Sequence, residues 1–139
     1  MMSKPMRPLS DIKVVEIGTM VTAPLASMLL AQLGADVIKV ENPEGGDPFR
    51  RSAGSNYSPN FIAYNQNKSG IQLDLASPSG RAELLKLLAE ADVLVENFRP
   101  GVMNRLGLTA DVLEQANPRL VYCSITGFGS DGPYASRPA

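Results

Sequence analysis

Histidine is absent from all 139 residues. Its absence removes the commonest general base and the commonest metal ligand, and with them any Ser-His or Cys-His catalytic pair within the chain. No metal ligand set is expected. Cysteine occurs once, at Cys123, so no disulfide forms within the chain, which fits a reducing cytosol. Its place in an apolar strand pattern marks it as a small buried hydrophobe rather than a reactive thiol. Neither sign of charge dominates: 13 Lys and Arg face 14 Asp and Glu, leaving a net charge of −1. The chain therefore has no broad basic field for the phosphates of a nucleic acid. Long hydrophobic runs are missing too. The apolar stretch from Val14 to Val40 is interrupted by Glu16, Gly18, Pro24, Gln32, Gly34, Asp36 and Lys39. It reads as neither a membrane span nor a secretory leader, and the cytoplasm is the expected compartment.

What is present is the material of a folded domain. A composition of 44% hydrophobic and 19% charged residues is too apolar for disorder, and the length suffices for one core. Residues 1–8, with Pro5 and Pro8, read as a loose leader, and 9–139 as the folded part. Val14–Ile17 is short, β-branched and closed by Gly18, which makes a strand. Leu25, Met28, Leu29 and Leu33 recur at helical spacing, with Pro24 suited to a first turn and Gly34 to a C-terminal cap. Asp36–Val40 is a second strand, so the opening segment is a βαβ unit with parallel strands.

A polar stretch follows from Glu41 to Ser58, long enough for a functional loop. Ile71–Leu75 resumes a strand. Ser77 and Pro78 open a helix whose apolar face carries Leu84, Leu87, Leu88 and Ala91. Asp92–Glu96 is a strand, Thr109 caps a short helix ending near Asn117 and Pro118, and Leu120–Thr126 is the last strand. The alternation specifies an α/β fold, a Rossmann-like open, mostly parallel sheet with flanking helices.

Ligands of such sheets bind on the loops at the carboxyl ends of the strands. Those loops are Gly18–Ala23, Glu41–Asn67, Asn97–Arg105 and Gly127–Pro138. A nicotinamide dinucleotide is disfavoured, because the first loop has one glycine where the fingerprint has three. Met20 and Val21 would obstruct a pyrophosphate there, and Glu41 reads equally as a ribose ligand or a solvated charge. Asn97-Phe98-Arg99-Pro100-Gly101, with Arg105 beyond it, offers an aromatic wall and guanidinium groups suited to phosphate or a purine ring. Asn65-Gln66-Asn67-Lys68-Ser69 reads from spacing as a polar turn, and Gly45–Arg51 as a mobile flap or a solvated loop. Each signal alone is unspecific.

In this order they resemble the family III CoA-transferases, which include formyl-CoA and carnitine-CoA transferases and the α-methylacyl-CoA racemases. The matching segments are Ile12–Glu16, Ala23-Pro24, Leu33–Glu41, Gly46-Asp47 with Arg50, Asn65–Ser69 and Leu73–Leu75. They continue through Ala91–Gly101, Leu106–Leu108, Asn117-Pro118 and Ser124–Gly129. The resemblance covers nearly everything from Leu9 onward, and implies the N-terminal part of a Rossmann-like large domain in an interlocked homodimer. It implies coenzyme A or acyl-CoA as substrate and a carboxylic acid as acceptor, joined through an aspartyl-CoA thioester.

Carried over position by position, it implies CoA contacts at Met20, Val21, Thr22, Leu73, Asn97, Phe98 and Arg105. Asn42 stands where some members carry arginine, so a phosphate or adenine contact is expected either to be weaker or to come from Arg50, Arg51 or Lys68. No catalytic residue is expected in this chain, because the family's nucleophilic aspartate and the racemase histidine would both fall beyond Ala139. The run from Gly127 reads as the middle of an enzyme, and the isolated chain is expected to be inactive. The alternatives are a non-catalytic CoA- or nucleotide-binding module or subunit fragment, the racemase branch and, last, a dinucleotide-binding domain.

Overall fold

The computed structural model describes residues 7–54 and 56–137, so most of the expected leader lies outside the described residues. Within them, Arg7 and Pro8 are exposed, and the Leu9 amide donates to the Leu33 carbonyl at 3.1 Å.

Five parallel strands form one sheet in the order β3-β2-β1-β4-β5. They are β1 Lys13–Glu16, β2 Asp36–Glu41, β3 Ser69–Gln72, β4 Val93–Glu96 and β5 Val121–Ser124. The helices are α1 Thr22–Gln32, α2 Pro59–Tyr64, α3 Pro78–Ala89, α4 Val102–Arg105 and α5 Ala110–Ala116, with a 3-10 turn at Pro48–Arg51. The α/β reading is thereby established. β1 is central, pairing Val14 with Val37 on one side and with Val93 on the other.

Local signals explain the boundaries. Ser77 Oγ accepts the Gly80 amide at 3.0 Å and opens α3. Thr109 caps α5 in the same way. Gly34, at φ +107°, ends α1 in a conformation that suits glycine. Two elements differ from expectation. β3 begins at Ser69 and ends at Gln72, which leaves Leu73 just past the strand. α2 was read as loop, although Ser58 accepts the Phe61 amide and Pro59 holds the first turn.

Alternation along the strands builds two unlike layers. Val15, Ile17, Val40 and Leu94 pack with Leu84 and Leu88 of α3, Met103 of α4, and Leu108 and Leu113 around α5. Val14, Val37 and Val95 point the other way, onto Ala23 and Ala31 of α1 and onto Ala35. Cys123 is partly buried beside this second cluster.

Candidate functional site

β1 lies between β2 and β4, so the chain leaves its centre in opposite directions and opens a crevice at the carboxyl ends of β1 and β4. A cleft of about 590 Å³ sits there. Its walls are Thr19, Met20, Val21 and Thr22 after β1, Asn97 to Pro100 and Val102 after β4, and the segment after β5, including Thr126, Phe128 and Arg137. A second, smaller cavity of about 330 Å³ adjoins it. Ile17, Val40, Leu73, Leu75 and Leu106 give that cavity an apolar lining. Thr19, Phe98 and Val102 border both spaces, so Phe98 forms part of the wall between them while also packing on the core.

Close packing fixes the first loop. A Cβ on Gly18 would stand 2.3 Å from Ala23 Cβ and 2.8 Å from Asn97 Oδ1, so only glycine lets the loop approach β4. Asn97 Oδ1 accepts the Thr19 amide at 2.9 Å. Its Nδ2 donates to the Thr19 carbonyl and to Thr22 Oγ1, both at 2.9 Å. Both amide hydrogens of Asn97 are thus committed to the loop, and its side chain acts there as a brace. α1 begins at this loop with no side-chain cap, unlike α2, α3 and α5. Val21 and Thr22, at its start, line the wall of the cleft.

The expected ligand residues divide between the two spaces. Met20, Val21, Thr22, Asn97 and Phe98 line the larger cleft, and Leu73 lines the smaller with Phe98. Arg105 borders neither. It is exposed at the end of α4, three residues after Val102, with its guanidinium folded over Gly101. Arg99 and Arg137 line the larger cleft instead. Arg137 stands over the Tyr134 ring at 4.2 Å. A cation on the segment after β5, beside the carboxyl end of a strand, was the available signal for Arg137.

The substitutes expected for the missing arginine stand apart from this cleft: Arg50 and Lys68 hold internal partners and border a separate cavity of about 590 Å³ beside β2 and β3. Lys68 is no part of a plain polar turn. Its Nζ donates to Glu16 Oε2 at 2.7 Å, the Pro24 carbonyl at 2.8 Å and Asn65 Oδ1 at 2.9 Å. Burial lowers its pKa, partly offset by Glu16. Lys39 Nζ reaches Glu16 Oε1 at 2.6 Å, the Gly18 carbonyl at 3.0 Å and Asp47 Oδ2 at 3.0 Å. Three ammonium hydrogens on each lysine leave none for a ligand.

Arg50 grips both oxygens of Glu41, at 2.7 Å and 2.6 Å, and lies 3.8 Å over the Phe61 ring. Burial pushes the Glu41 pKa up, but the Arg50 hydrogen bonds, the Asp47 amide and the charges of Arg50 and Lys39 outweigh it. The net shift is downward. Glu41 is therefore neither a solvated charge nor a free ribose ligand, and Gly45–Arg51 is pinned rather than a solvated flap. Arg51 is exposed beside Gly45.

On the opposite layer Glu96, 1% exposed, accepts the Phe98 amide at 2.6 Å and the Tyr122 hydroxyl at 2.8 Å. Burial and that carboxylate push the Tyr122 pKa up to about 12. Among the described residues no acidic side chain lines the larger cleft, and no group of three or more acidic or sulfur residues is placed to hold a metal. No described helix is long and apolar enough to cross a membrane.

Comparison with known proteins bears on this geometry. Residues 9–139 match CoA-transferase family III. The chain is 47% identical over 137 residues to a succinate–glutarate CoA-transferase of Agrobacterium fabrum, covering 92% of this chain and 34% of that protein. It is 42% identical over 134 residues to the succinyl-CoA–L-malate CoA-transferase beta subunit of Chloroflexus aurantiacus, covering 94% and 33%. The crystal structure of a CAIB/BAIF family protein from Brucella suis is similar with a TM-score of 0.89 at 42% identity, covering 96% of this chain and 37% of that one. The chain spans about a third of the length of these curated relatives.

Proposed function

The chain belongs to CoA-transferase family III, and on that footing we propose that it supplies the CoA-binding face of an enzyme moving CoA from an acyl-CoA to a carboxylic acid. The observation that carries this reading is the paired cleft at the rim of β1 and β4. One space is mostly apolar, with Glu41, Asn42, Asp47 and Asp74 also on its wall, and the other is bordered by Arg99, Arg137 and the uncapped start of α1. An extended ligand with an aromatic base, phosphates and a thioester needs such a succession of surfaces.

In this reading Leu73 and Phe98 hold apolar parts of CoA, while Met20, Val21 and Thr22 guide it along the larger cleft. Asn97 keeps that loop in place. Arg105, on the flank that Val102 shares with both cavities, pairs with phosphate. The donors at the start of α1 favour negative charge developing on an acyl oxygen.

The reaction implied by the family passes through an aspartyl-CoA thioester. The wall of the larger cleft contains no carboxylate, and Glu16, Glu41, Asp47 and Glu96 are committed to internal partners. This supports an isolated chain that binds CoA without turning it over. The complete enzyme is proposed to be a cytoplasmic interlocked homodimer. Leu25, Leu29 and Leu33, exposed at helical spacing on α1, are consistent with a covered face in such an assembly.

Calorimetry of the 139-residue chain with CoA tests the site. Arg105→Ala is expected to weaken binding about ten-fold, the effect of losing one charge-assisted contact. Unchanged affinity in that variant would remove Arg105 from the site. Acyl-CoA consumption above background with a carboxylate acceptor would refute the inactivity of the chain.

A further inference from the structure

Met20 has φ +62°, in the left-handed region where a Cβ crowds the neighbouring carbonyl. Methionine has no short polar side chain to bond its own backbone there, so surrounding bonds must hold it. The Met20 amide donates to Asp47 Oδ2 at 3.1 Å. The same oxygen stands 3.0 Å from Lys39 Nζ, which also bonds the Gly18 carbonyl two residues before Met20. Asp47 Oδ1 accepts the Phe49 amide at 2.9 Å, and the Asp47 amide donates to Glu41 Oε2 at 2.8 Å. Asp47 is 1% exposed; its bonds to Lys39 and Glu41 are buried, and those to the Met20 and Phe49 amides are partly so. It comes from the loop after β2, and besides its partners in β2 and its own loop it reaches the loop after β1 at the Met20 amide.

We infer that Asp47 is a positioning residue for the ligand cleft. Through the Met20 amide and Lys39 it holds the loop after β1 in the strained shape that lines the cleft. Asn97 grips the same loop from the β4 side, so Met20 is clamped between two anchors on different strands. The inference rests on the reading that this cleft takes CoA. It adds that the loop Glu41–Arg51, part of which lines the smaller cavity, also sets the affinity of the larger cleft through the hold of Asp47 on Met20.

The test combines calorimetry with CoA and the amide-to-Hα coupling constant of Met20 measured by NMR, both on the full 139-residue chain. Asp47→Ala is expected to release Met20 from positive φ and to weaken CoA binding about five- to thirty-fold, the range set by left-handed strain. Glycine accepts positive φ without the Cβ clash. Met20→Gly is therefore expected to recover part of the binding in the Asp47→Ala background, although it removes a lining side chain from the wild type.

Asp47→Asn keeps the volume but loses the charge facing Lys39. It shifts Met20 and the affinity in the same direction, and it serves where the alanine variant does not fold. A merely structural role for Asp47 would give a folded variant with the Met20 coupling unchanged, or strictly additive losses in the double-mutant cycle. Either result overturns the inference. If the wild-type chain shows no affinity for CoA, the functional reading falls. The Met20 coupling constants then still decide the role of Asp47.

Discussion

The two layers on either side of the sheet solve burial in opposite ways. The α3–α5 layer is filled mainly by leucine, with Glu96 the buried carboxylate at its rim: Leu84, Leu88, Leu94 and Leu108 are all essentially inaccessible. The α1 layer has small apolar residues near the start of the strands, and at their carboxyl ends it buries Glu16, Lys39, Asp47 and the Lys68 side chain. Leucine packing tolerates small shifts, whereas a closed set of charged hydrogen bonds has one arrangement. A buried ion network of this kind adds little net stability over an apolar replacement, because desolvation offsets attraction. What it gives here is a fixed path for the loops at Met20 and Pro48. The α1 side fixes the first loop of the cleft through several coupled charges, whereas the other side holds Phe98 through Glu96 alone.

Removing Glu16 should break this contrast most severely. Glu16→Ala takes a carboxylate from Lys39, which keeps Asp47, and from Lys68, which keeps only neutral acceptors, and should cost about 4 kcal/mol, the range for breaking a buried pair. Chemical denaturation measures the cost, and the Met20 resonances should move with it. Leu84→Ala on the opposite layer should cost about 3 kcal/mol through transfer and cavity terms. It should leave the Met20 resonances in place. Equal movement of Met20 in both variants would erase the distinction between the layers.

The smallest expected effect concerns acid. Glu41 has a folded pKa below its ordinary 4.5. Its stabilisation is therefore full above that value and fades as pH falls through the lower folded one. Glu41→Gln should flatten the acid limb of the thermal midpoint below pH 4.5, and an unaltered limb would place the acid response elsewhere.

The fold was legible because its signals are local. Val14–Ile17, the Ser77–Pro78 start, Thr109 and Gly34 each announce a boundary within a few residues. α2 was missed although Ser58-Pro59 is a proper start, because six residues give too little periodicity to register. Recognition of the cleft residues came from the order of motifs. The ion network is different, since Glu16 meets partners 23 and 52 residues away. One trace of it was visible: Glu16 and Lys39 share strand parity with the inward-facing Val14 and Val37. A charge at a core parity asks for a partner, but spacing does not say which. Arg50 and Lys68 looked available for phosphate because their carboxylates lie far off in the chain or on another element.

The reach from Glu16 to Lys68 also orders events during synthesis. The first strand, helix and second strand can assemble once residue 41 is made, with Lys39 already in hand. At that stage Ser27 Oγ already donates to Glu16 Oε2 at 2.6 Å, but the second ammonium group, on that oxygen, arrives only 52 residues after Glu16. Until then the carboxylate buried under α1 has only one of its two lysine partners. The βαβ unit at the start of the chain is thus not a self-sufficient nucleus on its α1 side. It becomes watertight only when the polypeptide has grown past the loop that follows β2 and laid down the beginning of β3.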